Sequence, residues 1–208
     1  MEDLEITDKG IYYFHKYVPT KKREWERYKE HVKISELIIK YKNGIASSNK
    51  LFTKELEEAI IFLSNRVFVG NVIEIALVAV PPSEVDKYSP IRESINNIVD
   101  RYEKGEITEF KYLKKLHNCS NLLIRNMDVE SSKDNKSARV KFNHYRSIDF
   151  DEDLIADFDE NVAFILLDDI TTTGFTIEVC EEILIDNEID EDNIYKLVIA
   201  ETVGDYYG

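Results

Sequence analysis

The sequence predicts an α/β protein with a doubly wound, mostly parallel sheet and helices on both faces. Continuous apolar runs at 73–80, 162–167 and 195–200 have the composition of buried parallel strands. Amphipathic segments with apolar residues at helical spacing lie between these runs. Alternating strands and helices favour this class of fold, which binds ligands at the carboxyl ends of its strands.

Residues 1–65 are expected to form a mainly helical N-terminal segment, and residues 66–208 the α/β core. A strand is predicted at 11–19, where aromatic and β-branched residues precede a proline. Apolar residues at helical spacing predict one helix from Trp25 to about Asn43 and a second helix from Thr53 onward.

The core begins with the strand at 73–80. A helix is predicted to follow from Pro90, since Ser89 can cap its N-terminus and proline is favoured at the first helical position. A further strand is predicted at 122–124, after a polar turn at 117–120. Residues 125–147 show no period and are expected to form a mobile loop. The predicted elements end with a strand at 162–167, a helix at about 174–186 and a strand at 195–200.

Composition limits the class of protein. A chain of 208 residues with 43% apolar residues suits one domain, or a core with an appendage. The formal net charge of −14 disfavours general affinity for nucleic acid. We expect a cytoplasmic protein without a membrane span, for three reasons. The two cysteines are isolated, and no apolar run approaches the ~18 residues of a membrane helix. The acidic start is also unlike a signal peptide.

The most informative segment joins the strand at 162–167 to the helix after it. Two acids, Asp168 and Asp169, follow the apolar run directly. The turn that comes next is rich in hydroxyl groups and contains Thr171, Thr172, Thr173, Gly174, Phe175 and Thr176. The first N–H groups of a helix attract a phosphate, and glycine lets the backbone approach it closely. Because carboxylates can accept hydrogen bonds from sugar hydroxyls or hold Mg²⁺, the segment predicts a site for a sugar phosphate.

An ordinary strand-to-helix turn is the alternative, with a threonine as the helix cap and two solvated acids. The phosphate-binding interpretation is favoured because the whole string is much rarer than any of its parts. A P-loop is excluded, since no G-x-x-x-x-G-K-[ST] pattern occurs in the chain.

A second anion site is predicted where the strand at 73–80 ends in Pro81, Pro82 and Ser83. Backbone N–H groups from Ser83 onward, with Lys87 and Arg92, can hold a pyrophosphate, and the two X–Pro bonds are where a cis peptide costs least. A rigid surface turn with two exposed cations is the alternative.

The segment 125–147 fits a basic lid and a solvated charged loop equally well, and its cations are Arg125, Lys133, Lys136, Arg139, Lys141 and Arg146.

The string from Asp168 to Thr176 resembles the ribose-phosphate signature of the type I phosphoribosyltransferases, which bind phosphoribosyl pyrophosphate (PRPP) with Mg²⁺. The resemblance implies that Asp168 and Asp169 are the catalytic residues, holding the ribose hydroxyls and, through water, the metal ion. It implies that 172–176 wrap the 5′-phosphate, whereas Thr171 stands where the family usually has an apolar residue that points away from the ligand.

The same resemblance implies a phosphoribosyltransferase-type fold with residues 1–65 as a hood over the base. The turn at 81–83 would then meet the pyrophosphate, the segment 125–147 would close as a lid, and the protein would form a homodimer.

Shorter strings resemble the ComF-type branch of this family, named for a role in DNA uptake. They are Ala79-Val-Pro-Pro-Ser83, Leu123-Ile-Arg125 followed at a distance by Arg139 and Asn143, Ala200-Glu-Thr202, and the lysine-bearing helix end Ile39-Lys-Tyr-Lys-Asn-Gly44. Two features of the branch, a cysteine-rich N-terminal zinc module and an Arg-Gly pair after the first loop, are missing from this sequence.

Three hypotheses follow from the sequence. The protein transfers the phosphoribosyl group of PRPP to an unidentified nitrogen base, or it senses PRPP or a nucleotide without catalysis in regulation or DNA uptake, or it is an interaction protein with an inactive site. No residue is an evident general base. His144 is a weak candidate, expected to be a solvated group on a polar loop.

Overall fold

The computed structural model describes residues 4–66, 74–128, 138–158 and 162–203. The strands are β1 (Glu5–Ile6), β2 (Ile11–Tyr17), β3 (Glu74–Ala79), β4 (Lys115–Asn118), β5 (Leu123–Arg125), β6 (Ile148–Phe150), β7 (Val162–Thr171) and β8 (Ile194–Thr202). The α-helices are α1 (Lys29–Lys42), α2 (Ala46–Arg66), α3 (Pro90–Glu103), α4 (Ala138–Arg146) and α5 (Phe175–Asp186). Within these ranges, no helix combines the length and the apolar character needed to cross a bilayer.

Six of the described strands form one mixed sheet in the order β1-β2-β8-β7-β3-β4. Every pair in it is parallel except the hairpin of β1 and β2. The predicted α/β class with a mostly parallel sheet is confirmed. The three apolar runs of the sequence are β3, β7 and β8, which lie side by side at the centre, where both faces of a strand are covered.

Helices cover both faces of this sheet, as predicted. On one face, α1, α2 and α3 pack against alternate residues of the central strands, in a cluster that contains Tyr41, Phe52 and Ile95. On the other face, α5 packs with the small antiparallel sheet of β5 and β6, in a cluster that contains Leu122, Leu166 and Cys180. The carboxyl ends of β3, β7 and β8 are therefore held at one edge by two independent apolar cores.

The N-terminal segment contributes strands as well as helices. Strand β2 pairs with β8 inside the main sheet, and the helix predicted from Trp25 begins at Lys29, after a single turn of 3₁₀ helix. The second helix begins at Ala46, seven residues before the predicted start at Thr53. Gly44 takes φ +72°, which ends α1 and lets α2 follow almost at once. The division of the chain at residue 65 stays a prediction.

The strand predicted at 122–124 exists as β5 but does not belong to the main sheet. The strand beside β3 is β4, which includes part of the segment predicted as a polar turn. Its pattern of two buried residues between exposed ones is that of a short edge strand, and buried His117 lies 2.6 Å from a carboxylate oxygen of Glu74. Residues 123–125 form β5 instead, which pairs with β6.

The mobile loop predicted over 125–147 is also wrong in part, because β5 ends in it and helix α4 occupies 138–146. Helix α4 is fixed on α5 by polar contacts: Lys141 pairs with Glu182, and the Tyr145 hydroxyl donates to Asp186 at 2.6 Å. Its nine residues are too few and too charged to show a clear helical period. Lys133 and Lys136 lie outside the described residues.

Candidate functional site

Both acids of the predicted site belong to strand β7 rather than to the turn after it. The strand continues to Thr171, four residues beyond its predicted end, because its pairing with β8 is maintained as far as Glu201. Asp168 and Asp169 consequently occupy fixed positions at the carboxyl end of the central strand. The backbone N–H of Asp169 also donates to the Asp168 carboxylate at 2.8 Å.

The environment of Asp168 disfavours its charge. Burial, with the neighbouring charge of Asp169, raises the pKa of the Asp168 carboxyl to about 7. Lys42, at the end of α1, opposes this shift, since its ammonium lies 2.9 Å from Asp169 Oδ1. Burial opposes the charge of Lys42 in turn, yet the two acids leave its pKa above the ordinary value. An acid pair held in this way is well suited to a ligand that brings a cation or hydroxyl donors.

We expect the raised pKa of Asp168 to lower stability as pH increases. The folded state binds this proton more tightly than the unfolded state, so stability falls between about pH 4 and about pH 7. Asp168→Asn removes that loss. The variant should therefore be more stable than the wild type, and the difference in the free energy of unfolding should grow over this interval to at most about 4 kcal/mol and then level off.

Thermal or urea unfolding across the pH range in metal-free buffer measures this advantage. The exposed acid Asp153 supplies the matched control, since Asp153→Asn makes the same chemical change outside the cleft. An Asp168→Asn advantage that stays constant with pH would contradict the prediction.

The turn after β7 has the backbone form expected of an anion site. Gly174 lies at the N-terminus of α5 with φ +73°, a conformation that side chains rarely adopt. A Cβ there would also stand 3.0 Å from Ile11 Cδ1 and 3.1 Å from Lys9 Cδ. Only glycine fits this position without strain, and the first N–H groups of α5 face the turn.

The threonines of the turn are partly engaged with the protein itself. Thr172 and Thr202 share a hydrogen bond of 3.0 Å between their hydroxyls, and the Phe175 N–H donates to Thr173 Oγ1 at 3.4 Å. Thr171 is buried. Lys9, in the hairpin turn between β1 and β2, donates to the Thr173 carbonyl at 2.6 Å and places a cation beside the turn.

The second predicted anion site begins at the end of β3, beside the part of β7 that carries the two acids. The Val80 N–H donates to the Leu167 carbonyl at 2.9 Å, so the turn of Pro81, Pro82 and Ser83 leaves the sheet next to Asp168. The two X–Pro bonds, where we expect cis to cost least, are both trans. Both turns lie at the same edge of the sheet, as parallel strands require.

The predicted cations around this second site, Lys87 and Arg92 of its own loop and Arg125 of the segment 125–147, are differently placed. Arg125 is buried and donates to the Pro82 carbonyl at 2.8 Å, to the Pro81 carbonyl at 3.4 Å and to the Ser147 hydroxyl. Lys87 is exposed and pairs with Glu84. Arg92 donates to the Leu123 carbonyl at 3.2 Å. Arg125 is therefore a support of the turn.

One cleft of about 250 Å³ brings most of the predicted residues together. Its lining comes from the ends of β3, β7 and α1 and the start of α5, and it includes Lys42, Pro81, Pro82, Ser83, Lys87, Arg125, Asp168, Asp169, Thr171, Thr172, Thr173, Gly174, Phe175 and Thr176. Arg92 is not part of this lining. The position of Arg139 in α4 is described only for its backbone.

His144 also lines the cleft. The sequence suggested a solvated group, and this is wrong: the ring is buried against Phe175, with centroids 5.6 Å apart. It became buried because the segment forms α4, which packs on α5.

A larger cavity of about 750 Å³ lies on the other side of the threonine turn. Residues 171–175 line both spaces, so the turn is a shared wall. The rest of the lining comes from the N-terminal segment and the end of β8, and includes Lys9, Lys16, Arg27, Tyr28, His31, Glu201 and Thr202.

Two cations near the acids and the turn were not among the residues predicted for the site. Lys42 lies in the lysine-bearing helix end that resembles the ComF-type branch, so a signal was present, but no spacing argument links residue 42 to residue 169. Lys9 has no such signal, because the sequence does not reveal that a hairpin lies over the turn. Comparison with known family models and with curated proteins finds no match to this chain.

Proposed function

We propose that the protein binds Mg-PRPP in the 250 Å³ cleft and transfers its phosphoribosyl group to a nitrogen compound, releasing pyrophosphate. One observation carries the proposal. The acid pair and the glycine-containing turn at the start of α5 line the same small cleft as the Pro81–Ser83 turn, which lies far from them in sequence. A ligand with a phosphate at one end, a diol in the middle and a second anionic group matches these three features.

The roles follow from the chemistry of each group. The N–H groups at the start of α5, with the hydroxyls of Thr173 and Thr176, would hold the 5′-phosphate. Asp168 and Asp169 would accept hydrogen bonds from the ribose hydroxyls. The segment that begins at Ser83, after the two prolines that Arg125 supports, would present backbone N–H groups to the pyrophosphate. The fold proposed is accordingly the phosphoribosyltransferase type, with the N-terminal segment as a hood.

Mg²⁺ fits this donor set. The ion is usually held by one or two carboxylates, waters and substrate phosphates. Asp168 and Asp169 supply two carboxylates at the end of one strand, and burial together with the neighbouring charge of Asp169 disfavours the charged form of Asp168, which a further cation would stabilise. In the described ranges no three His, Cys, Asp or Glu side chains converge as an all-protein metal site would require. The two acids would hold the ion through water, and the ion would neutralise charge on the pyrophosphate.

The reaction is a substitution at C1 of the ribose. The bond from C1 to the pyrophosphate oxygen breaks and its electron pair leaves with the pyrophosphate. A lone pair of the acceptor nitrogen forms the new bond to C1, and a proton on that nitrogen passes to solvent. Glycosyl transfer develops positive charge on the sugar ring, so the protein contributes mainly by fixing the ribose and stabilising the departing anion.

A second candidate function is PRPP sensing without catalysis. It is favoured because two cations beside the pyrophosphate turn already have partners within the protein: Arg125 donates to carbonyl oxygens, and Lys87 pairs with Glu84. A protein that recognises the ribose 5-phosphate half but holds pyrophosphate weakly would bind PRPP and turn it over slowly or not at all.

Calorimetric titration with PRPP, with and without Mg²⁺, tests the proposal. We expect saturable binding of one PRPP per chain that strengthens when Mg²⁺ is added, and weaker binding of ribose 5-phosphate. The absence of PRPP binding in both conditions would refute both candidate functions. If PRPP binds, pyrophosphate release with a panel of nitrogen heterocycles supports the transferase, and tight binding without release supports the sensor.

A further inference from the structure

The 750 Å³ cavity on the far side of the threonine turn has the size of a small-molecule site. The turn 171–175 forms its boundary with the cleft that holds the acid pair. The other walls are the hairpin turn between β1 and β2, the start of α1 with the residues before it, and the end of β8. An occupant of this cavity does not reach the reacting carbon, so it can act on the cleft only through the turn.

The charge of this cavity differs from that of the protein. The chain has a formal net charge of −14, but three permanent cations, Lys9, Lys16 and Arg27, line the cavity from three different segments. Among the described residues of the lining, the acids are Asp8 and Glu201. Such a local reversal attracts an anion against the overall field of the protein, and cations on several sides favour an anion with more than one acid group.

Aromatic rings hold Arg27 in position for a ligand. Its guanidinium lies 4.7 Å from the centroid of the Trp25 ring and 4.8 Å from that of Tyr28, and the two rings are stacked at 5.9 Å. The rings fix the orientation of the planar fork without neutralising its charge. Tyr28 and Phe175 also line the cavity, so its surface suits a planar ring that carries acid groups.

Lys9 connects the cavity with the phosphate turn. Its ammonium donates to the Thr173 carbonyl at 2.6 Å and lies 2.9 Å from a carboxylate oxygen of Glu178, in the first turn of α5. Its side-chain stem lies against Gly174, where a Cβ would stand 3.1 Å from Lys9 Cδ. Lys9 therefore supports the turn from the cavity side. Because its side chain is 43% exposed, an anion in the cavity can draw the ammonium away at small cost.

We propose that this cavity is a regulatory site for a small planar compound with two or more acid groups, whose binding weakens phosphate binding on the other side of the turn. Arg27 and Lys16 bind the acid groups, and Lys9 turns towards them, so that the Thr173 carbonyl loses its donor. The site itself is independent of the proposed function, whereas its effect rests on the phosphate turn of that function. The coupling is reciprocal, so phosphate at the turn weakens binding of the regulator by the same factor.

Trp25 makes occupation of the cavity measurable, because it is the one tryptophan of the sequence and it lies beside Tyr28 and Arg27. The probes are benzoate, benzene-1,3-dicarboxylate and benzene-1,3,5-tricarboxylate, which share one ring and differ in charge. Titrated against the full chain at constant ionic strength, they should change the Trp25 fluorescence and bind about threefold more tightly with each added acid group. Equal affinities, or no fluorescence change at millimolar concentration, would overturn the site.

Arg27→Gln should weaken binding of the tricarboxylate about tenfold, because a charged hydrogen-bond donor is lost. Lys33→Gln is the matched control, since it removes a cation from an exposed position on α1 outside the cavity lining, and it should leave the affinity unchanged. An Arg27→Gln variant that binds the tricarboxylate as the wild type does would also overturn the site.

Hydrogen exchange measures the effect on the turn without a ligand in the cleft. At the start of α5, the Glu178 N–H donates to the Gly174 carbonyl at 3.0 Å. The tricarboxylate should speed exchange of this amide about fivefold, because Lys9 is released from the turn. Lys9→Met should exchange as fast without the probe and respond to it less than twofold. Probe binding that leaves this exchange unchanged in the wild type would refute the regulatory role.

Inorganic phosphate then tests the consequence for the cleft. The tricarboxylate should weaken phosphate binding about fivefold in the wild type and less than twofold in Lys9→Met, as measured by calorimetric titration. Phosphate affinity that is the same with and without saturating probe would contradict the coupling. If phosphate fails to bind the wild type even without the probe, while fluorescence and exchange respond as expected, the proposed function fails and the regulatory site stands.

Discussion

Asp168→Asn combined with Asp169→Asn is expected to abolish Mg-PRPP binding while the fold survives. The two carboxylates are the groups in the cleft that can accept from both ribose hydroxyls and hold the waters of Mg²⁺. Each hydrogen bond to a charged group contributes about 1.5–3 kcal/mol, so the loss of two predicts affinity lower by roughly 10²–10⁴-fold. Calorimetric titration measures the loss, and circular dichroism with thermal unfolding checks the fold.

Inorganic phosphate makes this experiment more specific. Removing two negative charges beside the turn should leave phosphate affinity unchanged or raise it, because the N–H groups at the start of α5 are untouched. A variant that loses PRPP and keeps phosphate has lost recognition of the ribose. Asp153→Asn with Asp157→Asn is the matched control, since both acids are exposed and outside the cleft, and it should bind PRPP like the wild type. Unchanged PRPP affinity in the Asp168 and Asp169 variant would remove the proposed role of the acids.

The sequence predicted the central part of the fold and of the site because local patterns determine both. Buried parallel strands are nearly continuous apolar runs, so β3, β7 and β8 could be recognised, and Ser89 with Pro90 marked the start of α3 correctly. The acids and the threonine turn lie together as expected for the same reason, since a strand, a turn and a helix that follow one another bring their own residues together.

The errors lie where tertiary contacts decide the structure. Strand β4 has four residues, and its polar His117 is buried through a hydrogen bond with Glu74, which no local pattern reveals. Helix α4 depends on partners in α5, such as Glu182. Lys42 reaches Asp169 because α1 ends above the sheet edge, a distance of 127 residues along the chain. Arg125 was predicted as a cation of either a lid or a solvated loop, but it is buried and donates to the carbonyls of the turn at 81–82.

Replacing Arg125 is expected to have the second large effect, because Arg125 holds the turn that would bind pyrophosphate. Its guanidinium is buried and donates to both proline carbonyls and to Ser147. Arg125→Met leaves these acceptors without their donor in a buried place, which costs about 2–4 kcal/mol of unfolding free energy. For a chain of this size each kcal/mol corresponds to roughly 2–4 °C, so the melting temperature should fall by about 5–15 °C.

Affinity for the two halves of PRPP should separate a positioning role from a purely structural one. With Arg125→Met, binding of magnesium pyrophosphate should weaken about tenfold because its turn is no longer held, whereas ribose 5-phosphate, bound at α5, should change less than twofold. Arg125→Lys keeps a donor and the charge, and it should recover part of both stability and pyrophosphate binding. Arg146→Met removes an exposed arginine that packs on Phe142 in α4, so it serves as the control and should leave both ligands unaffected. Two results would contradict this role: affinities for pyrophosphate and ribose 5-phosphate that fall equally, or pyrophosphate that binds Arg125→Met as it binds the wild type. In either case Arg125 stabilises the protein without orienting this turn for the ligand.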